Sequence, residues 1–491
     1  MSALDPIAST PAGKLCGAWL PEPGVLAFKG IRYGESTAGA ARFKPARPVK
    51  PWTGVVDATA FGAVCPQAGK IGSYTRERRK LAQSEDCLFL NVWTPSLTGQ
   101  RPVLVWLHGR GFAQGAGSEP LYDGAALAKR GDLVVVTINH RLTVFGHLHL
   151  DEIAAAEYAG SGLAGMLDAE LALRWVRDAI ESFGGDPANV TIFGESGGGQ
   201  KVSHLLAMES SRGLFHKAII QSGPGLRSVS TRRGTSDARE LMAKLGVQSV
   251  SELAQAPADT LRRSAESIRT WSPVIDGVHL PSHPFDPVPA PSALDIPILI
   301  GTCRDEQALF MVDDPARGKL EEAELLQRTS RSLGSQRDAV IAAFRASRPH
   351  ATPWDLLVAI SGQRFQHGSI VLAERQSAAT RTPVWMYLFE FEGAGPLGPT
   401  HGTEIAYVFA NASAENPGRD DVKQVERDVS DAWIAFARTG SPQHAAVPEW
   451  PPYSAAHRAT MIFDAPSRSV VDPRGLEREA YARVDPREGK R

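Results

Sequence analysis

The stretch NVTIFGESGGG, residues 189–199, decides how this chain folds. Its opening, Val190 to Phe193, is apolar and β-branched, the composition of a buried strand. Its end sets Ser196 among glycines, with Gly194 two positions before it and Gly198 two after. Helical spacing follows, marked by Leu205 and Met208. Strand, G-x-S-x-G turn and helix in that order predict a nucleophile elbow. The chain must swing sharply from strand to helix, which strains the serine backbone. Side chains two positions either side would strike neighbouring backbone, so glycine stands there. The serine hydroxyl then projects at the carboxyl edge of a sheet. The helix that begins beside it aims its N–H groups and positive end at the same point.

Outward from this turn, five more apolar runs read as strands: 102–108, 133–139, 217–223, 296–301 and 384–391. Helical patterns separate most of them, as with Leu167, Leu171 and Trp175. Near-continuous apolar strands alternating with helices predict an α/β fold, a mostly parallel sheet covered on both faces. The spacing predicts one domain over residues 1–491, with mainly helical segments at about 229–290 and 313–382 capping the carboxyl edge of the sheet. The Pro-rich stretch at 281–297 reads as an irregular loop. The charged tail after Pro466 is expected to fray at its end.

Composition narrows the possible functions. The 491 residues carry 53 basic and 54 acidic side chains, a net charge of −1, which favours neither a nucleic-acid partner nor an anionic membrane. The basic run RERRK at 76–80 reads as a solvated loop. The start, MSALDPIASTPAGKL, lacks the basic and apolar regions of a signal peptide. No apolar run approaches the ~18 residues of a membrane span. A soluble cytoplasmic protein, monomeric or weakly self-associating, is the expectation. Four cysteines are too few for a disulfide scaffold and fit no zinc pattern, so neither metal nor cofactor is expected.

A serine hydroxyl needs a base to take its proton, and the base needs an orienting carboxylate. Chain order on this kind of sheet runs Ser, acid, His. Asp305 and Glu306 both follow the strand 296–301, at the active edge. His401 lies in a loop after the strand 384–391. Spacing alone does not separate His401 from His204, His216, His279, His283, His367, His444 or His457.

Several longer motifs do. FKGIRYG (28–34), SEDCLFLNVWTP (84–95), PVLVWLHGRGFAQG (102–115), FGGDPANVTIFGESGGG (183–199), SPVIDG, IGTCRDEQALF and HGTEIAYVF follow one another along nearly the whole chain. Together they resemble the type B carboxylesterase family, which includes para-nitrobenzyl esterases and cholinesterases. The resemblance implies an α/β-hydrolase fold with an N-terminal β-hairpin at about 14–60. It implies a serine carboxylesterase acting with water on small or medium esters through an acyl-enzyme. Ser196 would be the nucleophile, Glu306 the acid and His401 the base. Backbone N–H groups of Arg110, Gly111 and Gly197 would hold the oxyanion. Glu195, Ser222 and Glu404 would support the triad by hydrogen bonds. Cys65 and Cys87 match a family disulfide, although a cytoplasmic protein would keep both as thiols; Cys16 and Cys303 would stand outside any disulfide.

The chain also departs from the family. The oxyanion loop usually reads H-G-G-G or H-G-G-A; here it reads His108-Gly109-Arg110-Gly111. If the backbone at 110 needs positive φ, an arginine costs on the order of 1 kcal/mol. Its side chain either turns away to pair with a carboxylate, or lines the pocket and favours anionic acyl groups. Gln307 replaces a usual glycine after Glu306. His140, His147 and His149 cluster within ten residues; strand alternation would put His147 and His149 on one face, and packing is the preferred reading over a metal site. Rival functions are an amidase or carbamate hydrolase on the same fold, a lipase, and a non-catalytic recognition protein of the sort that has lost its triad.

Overall fold

The computed structural model describes residues 6–68, 81–154, 156–268 and 271–484; the basic run at 76–80 lies outside them. Eleven strands form the main sheet: β1 (Ala18–Leu20), β2 (Val25–Arg32), β3 (Phe89–Thr94), β4 (Arg101–Leu107), β5 (Val134–Ile138), β6 (Gly185–Glu195), β7 (Lys217–Gln221), β8 (Ile298–Cys303), β9 (Val384–Phe389), β10 (Ala459–Phe463) and β11 (Arg468–Val471). Their order is β11-β10-β9-β8-β7-β6-β4-β5-β3-β2-β1. The six runs read as strands from the sequence are β4 to β9, and they lie side by side. Pairings from β10 across to β5 are parallel. Antiparallel strands finish both edges. A smaller sheet joins Ile7–Thr10, Gly13–Cys16 and Val55–Asp57.

Each central strand is buried on both faces, which its unbroken apolar sequence requires. Val103, Val105 and Leu107 of β4 enter one core with Val190, Ile192, Ile220 and Ile300. Leu104 and Trp106 point the other way, into a second core with Phe193, Ile219 and Leu299. Helices α2 (Ala164–Ala179), α3 (Gly197–Ala207) and α4 (Gln363–Ala379) line the first face through residues such as Leu173, Leu205 and Leu372; α1 (Ala125–Gly131) and α5 (Asp420–Thr439) line the second. The sequence of α5 explains its bounds. Asp420 and Asp421 favour the positive end, Arg438 the negative end, and Gly440 stops it with φ 79°. Val422, Val425, Val429, Trp433 and Phe436 make its apolar stripe.

Segment 229–290 holds helices Thr231–Leu245, Val250–Gln255 and Ala258–Ser264. Segment 313–382 holds Glu322–Leu333, Arg337–Ser347, Pro353–Ser361 and α4. Within 281–297 the chain forms only a 3-10 turn at Pro291–Ala293. The tail after Pro466 stays ordered through β11 and helix Gly475–Tyr481, since its charges are paired: Arg478 with Asp472 at 2.8 Å and Arg348 with Glu477 at 2.8 Å. Residues 485–491 lie outside the described part.

The sequence leaves the state of Cys65 and Cys87 open; both are buried thiols. They are neighbours: hydrogen bonding to Cys65, then burial, pushes the Cys87 thiol well above its ordinary value. His147 and His149 do not alternate on a strand, because Thr143–His147 is a short helix. The histidines disperse into packing. His140 stacks on His108 at 4.8 Å, His147 meets the edge of Phe112 at 5.0 Å, and His149 Nδ1 is 3.5 Å from Asp151 Oδ1. Among the described residues no group of three His, Cys, Asp or Glu side chains could hold a metal ion. No described helix is long and apolar enough to cross a membrane.

Candidate active site

Ser196 sits between β6 and α3 with φ 56° and ψ −120°, a strained conformation for a side-chain-bearing residue. Its N–H donates to Gln221 O at 2.8 Å, which locks the turn to β7. The glycines are there because backbones touch. A Cβ on Gly198 would lie 2.0 Å from the Leu107 carbonyl oxygen. One on Gly194 would lie 2.6 Å from Gly198 C, and one on Gly197 2.3 Å from Gly111 Cα. The elbow therefore rests directly against the end of β4 and the loop 108–111.

The acid and the histidine come from adjoining loops. Spacing left Asp305 and Glu306 equivalent; the fold separates them. Asp305 pairs outward with Arg304 at 2.6 Å, while Glu306 is fully buried. Gln307 follows in a 3-10 turn, Glu306–Met311, without positive φ, so this backbone needs no glycine there. Asp305 N–H donates to Pro399 O at 3.0 Å and Leu309 N–H to Thr400 Oγ1 at 2.8 Å, lacing the acid loop to the histidine loop. Glu306 Oε1 accepts from Cys303 N–H at 2.8 Å, and Oε2 meets His401 Nδ1 at 2.5 Å. The other ring nitrogen, Nε2, lies 3.1 Å from Oε1 of Glu195, the residue before the serine. Phe310 and Phe365 flank the imidazole at 5.0 and 4.5 Å.

Glu404, also buried, accepts from Gln221 Nε2 at 3.3 Å and from Cys303 Sγ at 3.0 Å. Ser222 is buried with φ 47° beside the elbow, but its hydroxyl makes no hydrogen bond among the described residues, against the supporting bond expected of it. Crowding three carboxyls around one imidazole gathers protons. Burial pushes Glu195 up to about 8, against the pull of His401. Burial alone would lower His401; Glu195 and Glu306 outweigh it and raise it to about 9. Burial and then Glu306 raise Glu404 as well.

The loop 108–111 approaches Ser196 from the other side. Arg110 has φ 65° and Gly111 φ 61°, so Arg110 occupies a left-handed position that suits glycine. Sequence reading missed the residue that holds this loop. Lys201, on α3 and wholly buried, donates to the carbonyls of His108 and Gly111, each at 2.8 Å. Burial pushes its pKa down to about 7, with Glu195 pulling it back up. The missed signal was positional: Lys201, Leu205 and Met208 share one helical stripe, and a cation on an apolar stripe needs buried partners.

Ser196 opens into a cleft of about 540 Å³. Its walls include Gly111, Gly197, Gln200, Pro224, Phe310, Phe365, Arg110 and Arg364. A second cleft, about 620 Å³ beside Arg304, Arg348 and Trp354, is lined by no serine, threonine or cysteine.

A mostly parallel sheet carrying a serine elbow at its carboxyl edge defines an α/β-hydrolase. Residues 4–481 match the model of the carboxylesterase family, and the chain belongs to that family. It is 37% identical to the para-nitrobenzyl esterase of Bacillus subtilis (strain 168), over 96% of this chain and 98% of that protein. It is 34% identical to the phenmedipham hydrolase of Pseudarthrobacter oxydans, over 98% and 99% of the two chains. Among solved structures, Geobacillus stearothermophilus carboxylesterase EST55 superposes with a TM-score of 0.85 at 39% identity, covering 97% of this chain and 99% of that one. The protein is a carboxylic ester hydrolase.

Proposed function

We propose that the protein is a serine carboxylesterase for small and medium esters, working through an acyl-enzyme on Ser196. The observation that carries this reading is the direction of His401. Nδ1 is held by Glu306, and Nε2 is turned toward the residue preceding Ser196 at the floor of the cleft. Glu306 fixes the tautomer and favours the imidazolium that forms during reaction.

In the first stage, His401 takes the Ser196 proton as Oγ bonds to the ester carbonyl carbon. The carbonyl electrons move onto oxygen, and the N–H groups of Arg110, Gly111 and Gly197 donate hydrogen bonds to that oxyanion. As the tetrahedral intermediate collapses, the alkoxide leaves with the proton from His401. Water then attacks the acyl-enzyme by the same route, which restores Ser196 and releases the acid. His401 acts as a base only in its neutral form, and the neighbouring Glu195 and Glu306 carboxylates that raise it make that form harder to reach.

The test is a panel of p-nitrophenyl esters of graded acyl length, run with the wild type and Ser196→Ala. The wild type is expected to turn over short and medium chains best, and the variant to lose about 10³-fold or more. A serine-directed phosphonate should add its mass at Ser196. Full activity in Ser196→Ala, or labelling only at another residue, would overturn the reading.

A further inference from the structure

We propose that the protein has a second ligand site, apart from the Ser196 cleft, that takes a small neutral alcohol or phenol. The site stands independently of the esterase mechanism above.

It is a cavity between α4, strands β8 to β10 and residues 472–478. Its volume is about 50 Å³, several times the ~10–15 Å³ that one water requires. Ile370 of α4 and Met386 and Leu388 of β9 give it an apolar wall. Leu388 is buried, yet among the described residues it joins none of the packed apolar clusters. Val384 and Met386, on the same face of β9, both belong to the first core. A leucine in that position gains van der Waals contact when the cavity is filled.

The opposite wall is charged, but its charges are satisfied. Arg458 pairs with Glu374 at 2.8 Å, Arg474 with Glu390 at 2.6 Å, Arg478 with Asp472 at 2.8 Å and Glu477 with Arg348 at 2.8 Å. Every charged residue that lines the cavity stands in one of these pairs. An ionic ligand would leave water without meeting a free counter-charge, so the site selects a neutral molecule.

One polar group is left over. Tyr453 is 4% exposed, and its hydroxyl makes no hydrogen bond among the described residues. The charges that act on that oxygen are those of Glu374, Arg458, Asp472 and Arg478. Three of these four line the cavity, so the hydroxyl faces it. A buried hydroxyl without a partner is destabilising, and it can both donate and accept. Apolar walls with one hydroxyl among them fit a ligand of matching design, an apolar body with a single hydroxyl. Hydrolysis of a carboxylic ester releases such molecules as its alcohol product.

The place of the cavity agrees with that origin. Gln363 and Gln366 also line it. Gln366 Nε2 donates to the carbonyls of Cys303 at 3.2 Å and Arg304 at 2.8 Å, and Gln363 Nε2 donates to Gln366 Oε1 at 2.9 Å. The cavity therefore abuts the side chains that brace the loop carrying Glu306.

Crystals soaked in 4-bromophenol at neutral pH locate the site. The bromine anomalous peak is expected inside this cavity, with the phenol oxygen within about 3 Å of the Tyr453 hydroxyl. In solution, 4-fluorophenol is titrated by fluorine NMR beside fluorobenzene, which lacks the hydroxyl. The phenol is expected to bind with Kd on the order of 1 mM, several times tighter than fluorobenzene. Tyr453→Phe keeps the ring and is expected to bring the two Kd values together. Leu388→Trp and Ile370→Phe fill the cavity from opposite sides and are expected to weaken both ligands; Tm identifies either variant if it fails to fold. Binding in the Ser196 cleft does not respond to these substitutions, so the variant-sensitive part is the readout. The proposal is overturned if no bromine peak lies in the cavity, or if Tyr453→Phe keeps the wild-type preference for the phenol.

Discussion

On one side of the Ser196 turn, the carboxyls of Glu195, Glu306 and Glu404 crowd around His401. On the other, beneath the loop 108–111, Lys201 is buried near the stacked pair His108 and His140 and near His147. Both clusters are sealed from water, and they answer burial in opposite ways. The carboxyl side takes up protons, since burial disfavours its anions. The lysine side sheds them. Burial pushes Lys201 down to about 7, and burial followed by Lys201 holds His108 and His140 well below their ordinary value, as neutral rings. One side holds protons beside His401, while the other ties the loop 108–111 to α3 through Lys201.

The clusters also tilt stability against pH in opposite directions. His401 is raised from 6.5 to about 9 and Glu195 from 4.5 to about 8, so the folded state holds protons that the unfolded chain has released. Their contribution is present at low pH and is lost as pH rises, through about 8 for Glu195 and about 9 for His401. Lys201 is lowered from 10.5 to about 7, so between those values the unfolded chain binds the proton and the folded state does not. Its contribution therefore grows with pH across that window.

The strongest break in this arrangement is a methyl group at the elbow on which both sides lean. Gly198→Ala would set its Cβ 2.0 Å from the Leu107 carbonyl oxygen, a backbone atom inside β4 that cannot swing aside. The cost is expected to be about 3 kcal/mol or more, read as a fall in Tm with loss of ester turnover. Wild-type Tm and kcat in this variant would show that the elbow is looser than these distances allow.

Next in size is the lysine side. Lys201→Met removes both bonds to the loop carbonyls while keeping most of the side-chain volume. The loop N–H groups then lose their fixed position, and kcat is expected to fall about 10- to 100-fold with little change in KM. Tm gives a second readout. Between pH 6 and pH 9 the wild type should gain stability relative to this variant, because only the wild type carries the depressed lysine. A constant difference in Tm across that range would mean that Lys201 is not held as a desolvated cation.

The two sides were unequally legible in the sequence. The elbow was plain, because a G-x-S-x-G turn between an apolar strand and a helix has few other uses. The parallel strands were plain because burial on both faces writes an unbroken apolar run. The outer strands β1, β2 and β11 are short or mix buried with partly exposed positions, so their sequences carry no long unbroken apolar run. His401 could not be chosen by spacing, since several histidines follow Ser196; long motifs chose it. Spacing left Asp305 and Glu306 open as well; the long motifs chose Glu306, and the fold shows why the two differ, with Asp305 turned to Arg304 and Glu306 buried against His401. Lys201 escaped notice because helical spacing shows that a position is buried, not what carbonyls lie there to receive a cation.

The finest test compares the sides through one oxygen for nitrogen exchange. Glu195→Gln keeps the shape of the side chain 3.1 Å from His401 Nε2 and removes its charge. The carboxylate stabilises the imidazolium, so removing it should release the His401 proton at lower pH. The acid limb of kcat/KM is then expected to move down by about 1 unit or more, which leaves more neutral base at pH 7. Lys201 should respond as well, since Glu195 is the charge that pulls its pKa up; without it, the lysine is deprotonated at still lower pH. One substitution would thus move both clusters in the same direction, although they sit on opposite sides of the serine. An acid limb that stays in place would mean that Glu195 is already neutral where His401 titrates, and that the two sides communicate only through the backbone of the turn.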